Sequence, residues 1–159
     1  MMRLAAPLGG LAVAIALASP AVAAWETIAE GDQFGLLATA DEVENRAFAI
    51  GCRRGLPDLF TVDIYLSADD HPESIAPAEV VVSITTDGRQ LPIANGVIRE
   101  FRGSLVLDTA TSLDATWHQV LAAMAESTST INVQFDQFQY RFSPDGLAEG
   151  MRFLHEKCQ

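Results

Sequence analysis

The chain has 159 residues, 21 of them acidic and 10 basic, which gives a formal net charge of −11. This length suits one ordinary domain with a real hydrophobic core. The negative charge disfavours binding to nucleic acid and to anionic membrane surfaces, because both would repel the protein. A basic partner is compatible with this charge, although the same charge also keeps an exported protein soluble.

The first 23 residues have the pattern of a cleaved export signal. Arg3 supplies the positive start, Leu11–Ala18 is an unbroken apolar run, and Ala21–Ala23 offers the small residues that a signal peptidase needs. The alternative is a membrane anchor, but the apolar run falls short of the ~20 residues that span a bilayer. We expect residues 1–23 to be removed, and residues 24–159 to form a single soluble domain that is periplasmic or secreted.

Alternation of apolar and polar residues predicts strands in the first half of this domain. Ala47–Cys52, Phe60–Leu66 and Glu79–Thr85 each place their apolar residues on one face. Glycine and proline within Arg54–Asp58 indicate a turn between the first two of these strands. The segment Ser67–Pro77 is acidic and contains Pro72 and Pro77, so we expect a surface loop there.

Two dipeptides indicate hairpin turns further along the chain. Asp87–Gly88 and Asn95–Gly96 lie between apolar runs and favour the positive φ angles of tight hairpin turns. Val97–Asp108 then has the pattern of a strand that is interrupted near Gly103. Short strands joined by hairpins predict an antiparallel sheet.

Two helices are predicted late in the chain. The first covers Ser112–Glu126, where apolar residues recur at helical spacing and Thr111 or Ser112 can act as the N-cap. The second begins with Ser143 as N-cap and Pro144 in the first turn. Its apolar residues recur at intervals of three and four, so one face is directed at the core: Leu147, Met151, Leu154 and Cys158.

In the segment Ile131–Phe142, between these helices, the alternation of apolar and polar residues shifts by one position. Apolar residues alternate up to Phe135, and they resume at Phe138 in the opposite phase. A slip of one residue would move apolar side chains to the other face unless the backbone absorbs it. We expect a β-bulge near Asp136–Gln137. The alternative is a strand that is buried on both faces as it crosses between two sheets.

Cys52 and Cys158 allow a single disulfide pairing. No other cysteine or histidine cluster accompanies them, so they do not resemble a metal site. Free thiols and a catalytic role are the remaining alternatives. Cys52 shares a strand face with Phe48 and Ile50, and Cys158 lies on the apolar face of its helix. We therefore expect a Cys52–Cys158 disulfide, with no metal and no cofactor. Because the first cysteine follows the signal by many residues, we expect no lipid anchor.

No catalytic motif is recognisable around the three histidines. His71 lies in an acidic loop, but this loop has neither the ligand spacing nor the glycine of a calcium-binding loop. His118 and His155 lie beside the apolar stripes of the predicted helices, and we expect them at the surface. The sequence has no nucleophile elbow, no zinc-protease motif and no glycine-rich phosphate loop. We therefore assign no catalytic residue.

Polar residues on the strands offer two further candidates. Paired carboxylates can hydrolyse glycosides, and Asp63 and Asp136 are candidates for such a pair, although so acidic a chain brings some carboxylates together by chance. A possible binding patch is an outward row in which the arginine could hold a carboxylate or phosphate through two hydrogen bonds. The alternative is an ordinary solvated sheet face. This row consists of Gln134, Asp136, Gln139 and Arg141.

The end of the chain resembles the close of many small exported proteins of Gram-negative bacteria. The aromatic strand Tyr140–Phe142 passes through a Phe-x-x-x-Gly step into a helix that ends in Cys158. This arrangement is similar to the invasion-associated locus B-like group and to the type VI secretion-associated VasI/TagO-like group. An N-terminal tryptophan and a mid-chain cysteine recur in both groups, as Trp25 and Cys52 do here. The resemblance is firm over residues 140–158; it implies a β-rich periplasmic domain and carries over no catalytic residue.

The predicted fold is α+β: an antiparallel β-sandwich or strongly curved sheet covered by two helices, with the C-terminal helix disulfide-linked to a strand. The predicted function is a non-catalytic exported module that binds a protein or an envelope component, with a basic protein as the partner that its charge favours. One alternative is a small envelope hydrolase that uses paired carboxylates. Another is a structural accessory of a secretion apparatus.

Overall fold

Ten strands and two α-helices make up the described part of the computed structural model, which covers residues 24–39, 46–66, 77–101, 103–112 and 114–159. The predicted signal and His71 lie outside the described residues. The elements in chain order are β1 (Glu26–Glu30), β2 (Gln33–Thr39), β3 (Ala47–Arg53), β4 (Phe60–Tyr65), β5 (Ala78–Thr86), β6 (Arg89–Gln90), β7 (Ala94–Phe101), β8 (Ser104–Ala110), α1 (Thr116–Ala125), β9 (Ile131–Phe135), β10 (Phe138–Phe142) and α2 (Leu147–Cys158).

All ten strands belong to one open sheet, and every neighbouring pair is antiparallel. The order is β1-β2-β3-β4-β8-β7-β5-β9-β10, with β6 paired to β5. The first four strands form a meander, and the pairing of β4 with β8 joins this meander to the later strands. The predicted α+β class with an antiparallel sheet is confirmed. The described residues contain no second sheet, so the sandwich alternative is not seen in them.

One face of the sheet forms the hydrophobic core. Residues directly opposite each other on neighbouring strands share a face, and Ile64 in β4 lies opposite Leu107 in β8. The sheet curves strongly, because the rings of Phe48 in β3 and Phe142 in β10 are 5.4 Å apart although five strands separate β3 from β10. The core lies inside this curve. Its largest fully buried side chains are Trp117, Tyr140, Phe48, Phe135 and Phe142.

The predicted strands over β3, β4 and β5 are confirmed, and one of the two predicted hairpin turns is confirmed as well. Asp87 and Gly88 have φ angles of 50° and 70° in the turn between β5 and β6. The predicted turn at Asn95–Gly96 is wrong, because both residues lie inside β7. Gly96 serves close packing instead of a turn, since a Cβ atom on it would lie 2.6 Å from the side chain of Leu107.

The phase change in Ile131–Phe142 has a different cause from the one predicted. β9 and β10 form a hairpin with a two-residue turn at Asp136–Gln137, and Phe135 lies opposite Phe138. Asp136 has a φ angle of 48°. Because the chain reverses there, both phenylalanines face the core without a bulge and without a strand crossing between sheets. Both expectations for this segment were wrong.

Both helices begin later than predicted, and their first residues follow Ala115 and Gly146, neither of which makes a side-chain capping bond. Thr111 ties β8 to the turn before β4: its hydroxyl accepts a hydrogen bond from the Phe60 N–H at 3.0 Å and donates one to the Asp58 carbonyl at 3.1 Å. The Ser143 hydroxyl accepts the N–H of Asp145, so it stabilises the turn that precedes α2. Neither helix in the described residues is long and apolar enough to cross a membrane.

The predicted disulfide between Cys52 and Cys158 is present and fastens the end of α2 to β3. The two residues are 106 positions apart in sequence, and their Cα atoms are 6.1 Å apart. Both cysteines are buried. The Gly55 N–H donates to the Cys158 carbonyl at 2.9 Å, which ties the last residue of α2 to the turn after β3. α2 therefore packs along β2 and β3 with its C-terminal end held covalently.

Trp25 fastens the other end of α2. Its indole Nε1–H donates to the Ser143 carbonyl at 2.8 Å, and its backbone N–H donates to the Asp145 carbonyl at 2.9 Å. The indole is buried and its ring packs 5.3 Å from that of Phe48. Gly146, which precedes α2, has a φ angle of 83°, and a Cβ atom on it would lie 3.0 Å from the Trp25 carbonyl oxygen. Trp25 therefore packs against the segment that leads into α2 and holds it in place.

Replacing Cys158 by serine should lower the stability of the protein. The cross-link closes a loop of about 100 residues, and loss of such a native link typically costs about 2–5 kcal/mol. We expect a lower urea unfolding midpoint than that of the oxidised wild-type protein. Wild-type protein treated with a reductant is the matched control and should unfold with the variant. Equal midpoints for Cys158→Ser and oxidised wild type would show that the disulfide does not stabilise the fold.

Candidate functional site

The predicted polar row lies on the β9–β10 hairpin. Gln134 and Gln139 face each other across the two strands, and Arg141 lies two residues further along β10 on the same face. Asp136 lies at the tip of the hairpin, in the turn. All four side chains are exposed. The structure therefore brings three members of the row onto one face, and neither of the two concavities described below includes any of the four.

A groove between α1 and α2 is the concave surface that sequence reasoning did not predict. Its volume is about 580 Å³, which is within the range of ligand-binding clefts. Phe60, Leu121 and Met151 form part of its apolar lining. Two exposed histidines also line it, His118 from α1 and His155 from α2. The groove thus combines an apolar floor with polar groups at its rim.

The two groove histidines are the pair that the sequence placed at the surface. The ring of His118 lies 6.1 Å from that of Phe60, nearly perpendicular to it. His155 lies in the last turn of α2, three residues before Cys158. In the described residues, no group of three or more His, Cys, Asp or Glu side chains converges as a metal site would require.

The disulfide positions one wall of this groove. α2 turns Leu154 and Cys158 toward the sheet, while Ala148, Arg152 and His155 on its other side line the groove. Because one face of α2 is held by packing and by a covalent bond, the opposite face has a defined position relative to α1.

Two aspartates face each other on the outer face of the sheet, where β4 pairs with β8. Asp63 lies directly opposite Asp108, and the two side chains share a hydrogen bond. Arg99 in β7 forms an ion pair with Asp108. The sequence named Asp63 and Asp136 as carboxylate candidates. The structure instead brings Asp63 together with Asp108 and leaves Asp136 in the β9–β10 turn.

Burial raises the pKa of Asp63 from 3.8 to about 6, and the negative charge and hydrogen bond of Asp108 act in the same direction. Arg99 has the opposite, smaller effect. Two adjacent carboxylates repel each other when both are ionised, so the pair retains a proton into the mildly acidic range. A pair in this state can both donate and accept a proton.

A depression of about 600 Å³ lies beside the aspartate pair. Asp108, Asn95 and Asp114 are among the residues that line it. The Asp114 carboxylate accepts hydrogen bonds from Thr116 at 2.8 Å and from the Asn95 N–H at 3.0 Å, and these bonds hold its pKa below the usual range. Asp63 does not line the depression, so the acid with the raised pKa lies next to it and not within it.

Comparison of the chain with protein-family models, with curated proteins and with solved structures found no match.

Asp63→Asn should stabilise the protein at neutral pH and have no effect in acid. A raised pKa means that the folded state binds the proton more tightly than the unfolded state. The contribution of Asp63 to the stability of the wild-type protein is therefore lost as the pH rises from about 4 to about 6. Asparagine keeps a hydrogen-bond donor for Asp108 and removes the charge. We expect a gain of about 1 kcal/mol near neutral pH, measured by urea unfolding at a series of pH values.

Asp136→Asn is the matched control for this prediction. It removes the same charge from an exposed turn, and asparagine tolerates the positive φ angle there. The advantage of Asp63→Asn should disappear below about pH 4, and the control should show no such profile. A gain that is the same at every pH would contradict the assignment to the aspartate pair.

Proposed function

We propose that the chain is a non-catalytic exported module that binds a protein or an envelope component, and that its partner is basic. The export pattern of residues 1–23 and the buried Cys52–Cys158 disulfide support a working place outside the cytosol, since disulfides persist in oxidising compartments. We propose the periplasm or the extracellular medium as that place. The resemblance of the chain's end to small exported proteins of Gram-negative bacteria agrees with it.

The observation that carries the binding proposal is the groove between α1 and α2. It is concave, about 580 Å³ in volume and mainly apolar, with a few polar groups at its rim. Surfaces of this kind commonly accept apolar side chains of a partner, while the polar rim sets orientation. The disulfide contributes to binding by fixing the α2 wall.

The charge of the chain indicates the chemistry of the partner. The formal net charge is −11, and Glu126 and Glu156 line the groove beside Arg152. A protein that presents apolar side chains flanked by lysine or arginine would be attracted over a distance and would then fill the groove. A cationic enzyme of a host or a competitor is one partner of this kind, in which case the module acts as an inhibitor.

Ala122→Lys should strongly weaken capture of the partner, whereas Gln119→Lys should retain it. Both side chains are exposed on α1 and both variants add one positive charge, but only Ala122 lines the groove. The exported protein is immobilised in oxidised form and exposed to envelope extract, and bound proteins are released by salt. We expect a basic protein on the wild type, at least a tenfold weaker affinity for Ala122→Lys, and a weaker interaction after reduction of the disulfide.

Two results would contradict the proposal. Equal capture by Ala122→Lys and Gln119→Lys would exclude the groove as the binding surface. Capture of an acidic partner that salt does not release would exclude the proposed charge complementarity.

A second candidate function is a small envelope hydrolase that uses Asp63 and Asp108. The observation in its favour is a proton-sharing carboxyl pair beside a depression of about 600 Å³. Asp63 would act as the general acid below about pH 6, and Asp108 beside it would act as the general base that activates a water molecule.

The hydrolase candidate predicts release of reducing ends from purified cell-wall glycan, with activity falling as the pH rises past about 6. Asp63→Asn and Asp108→Asn should each remove this activity, and Asp136→Asn should retain it. Folded wild-type protein that releases no reducing ends at any pH would rule this candidate out.

A further inference from the structure

β1 ends the sheet as a regular edge strand, with no further strand beside it in the described residues. In the described part of the chain it pairs only with β2, in continuous register, and no other backbone hydrogen bond reaches its residues. All five of its residues are exposed. Natural proteins usually protect such an edge with a proline, a bulge or a covering segment, because free backbone groups recruit another strand. The segment Glu26–Glu30 contains no proline and no bulge.

The turn before β2 determines which backbone groups of β1 face outward. Gly31–Asp32 is a two-residue turn whose glycine has a φ angle of 59°, and Glu30 lies opposite Gln33. In a hairpin of this type the closing pair is hydrogen-bonded, and every second residue along the strand repeats this pattern. Glu30, Ile28 and Glu26 are therefore bonded to β2, and Thr27 and Ala29 lie between them. Their N–H and C=O groups therefore face away from β2 and are free to pair with a further strand.

The side chains of β1 select the charge of such a strand. Glu26, Ile28 and Glu30 share one face, and Ile28 is 48% exposed between the two glutamates. A second copy of β1 paired across Ile28 would place glutamate opposite glutamate, and like charges in this position are destabilising. A segment with lysine or arginine at the two outer positions and a β-branched residue between them would place opposite charges together. The edge is thus protected against its own copies but not against a cationic strand.

β1 is also held in position before any partner arrives. Trp25, the residue before it, donates hydrogen bonds to the carbonyls of Ser143 and Asp145 and packs against the core. The hairpin turn to β2 fixes its other end. A strand that is already ordered loses little conformational entropy when another strand is added to it.

We infer that β1 is a docking edge to which an extended, cationic segment of a partner protein adds as a further strand of the sheet. Backbone hydrogen bonds at Thr27 and Ala29 hold the segment, and Glu26 and Glu30 select its charge. This inference rests on the proposed function in one respect only, the basic nature of the partner. The edge is distinct from the groove between α1 and α2.

Titration of the exported protein with a capped peptide that contains Lys-Thr-Val-Thr-Lys tests the inference directly. We expect binding measured by calorimetry, together with slowed amide exchange at Thr27 and Ala29 measured by NMR. The amides of Glu26, Ile28 and Glu30 already bond β2 and should change little. The charge-reversed peptide with glutamate in place of lysine should not bind. Equal binding of the two peptides, or protection that is absent from Thr27 and Ala29, would overturn the inference.

A proline at the edge provides the second measurement. Ala29→Pro removes an outward N–H without removing a bond to β2, and proline is tolerated at sheet edges. We expect at least a tenfold loss of peptide affinity, while Ala29→Thr, which keeps the N–H, should bind as the wild type does. Wild-type affinity in Ala29→Pro would contradict the inference. The wild-type exchange data decide the question without any variant if Ala29→Pro fails to fold.

The outcomes separate this inference from the proposed function. If envelope capture depends on Ala122 but the lysine peptide does not bind, the docking edge is excluded and the groove is retained. If the peptide protects Thr27 and Ala29 but envelope capture does not depend on Ala122, the edge is supported and the groove is excluded.

Discussion

The attachment of α2 to the sheet is the constraint on which the rest of the structure depends. A helix of 12 residues is marginal on its own, so its position has to come from tertiary contacts. Cys158 bonds its last turn to Cys52 in β3, and Trp25 holds the segment that leads into its first turn. Between these two anchors, the buried face of α2 packs on β2 and β3 and closes the core. The groove exists because the opposite face of the same helix is thereby fixed beside α1.

The junction of β4 with β8 shows how packing outweighs electrostatics in this fold. On the outer face Asp63 and Asp108 repel each other when ionised, at a cost of about 1 kcal/mol. On the inner face, the neighbouring pair of Ile64 and Leu107 is completely buried, and each such side chain contributes roughly 1.5–3 kcal/mol. The apolar pair therefore keeps the meander joined to the later strands while the aspartates remain opposed. Arg99 lowers the remaining cost by pairing with Asp108.

Sequence pattern predicted most strands with one buried face, but it missed β2, in which Phe34, Leu36 and Ala38 are buried on one face. β4 shows strict alternation and was found, whereas every residue of β1 is exposed and no apolar period marks it. The Asp136–Gln137 turn was taken for a bulge because phase alone does not distinguish a slip from a reversal. The disulfide could be predicted because two cysteines allow one pairing. The Asp63–Asp108 pair and the groove could not, since each depends on elements that are distant in sequence.

The two proposed binding surfaces depend on α2 in different ways. The groove is lined by residues along the helix from Ala148 to Glu156, whereas β1 begins beside Trp25, which bonds the segment that precedes the helix. The groove extends to His155, close to Cys158, so its shape at that end depends on the disulfide. β1 begins beside Trp25, whose hydrogen bonds to Ser143 and Asp145 are independent of any thiol. Reduction removes the covalent link at the C-terminal end of α2, whereas the backbone and indole hydrogen bonds of Trp25 at the other end do not depend on it. A partner held only at β1 depends on Trp25, whereas a partner held in the groove depends on the redox state of its compartment.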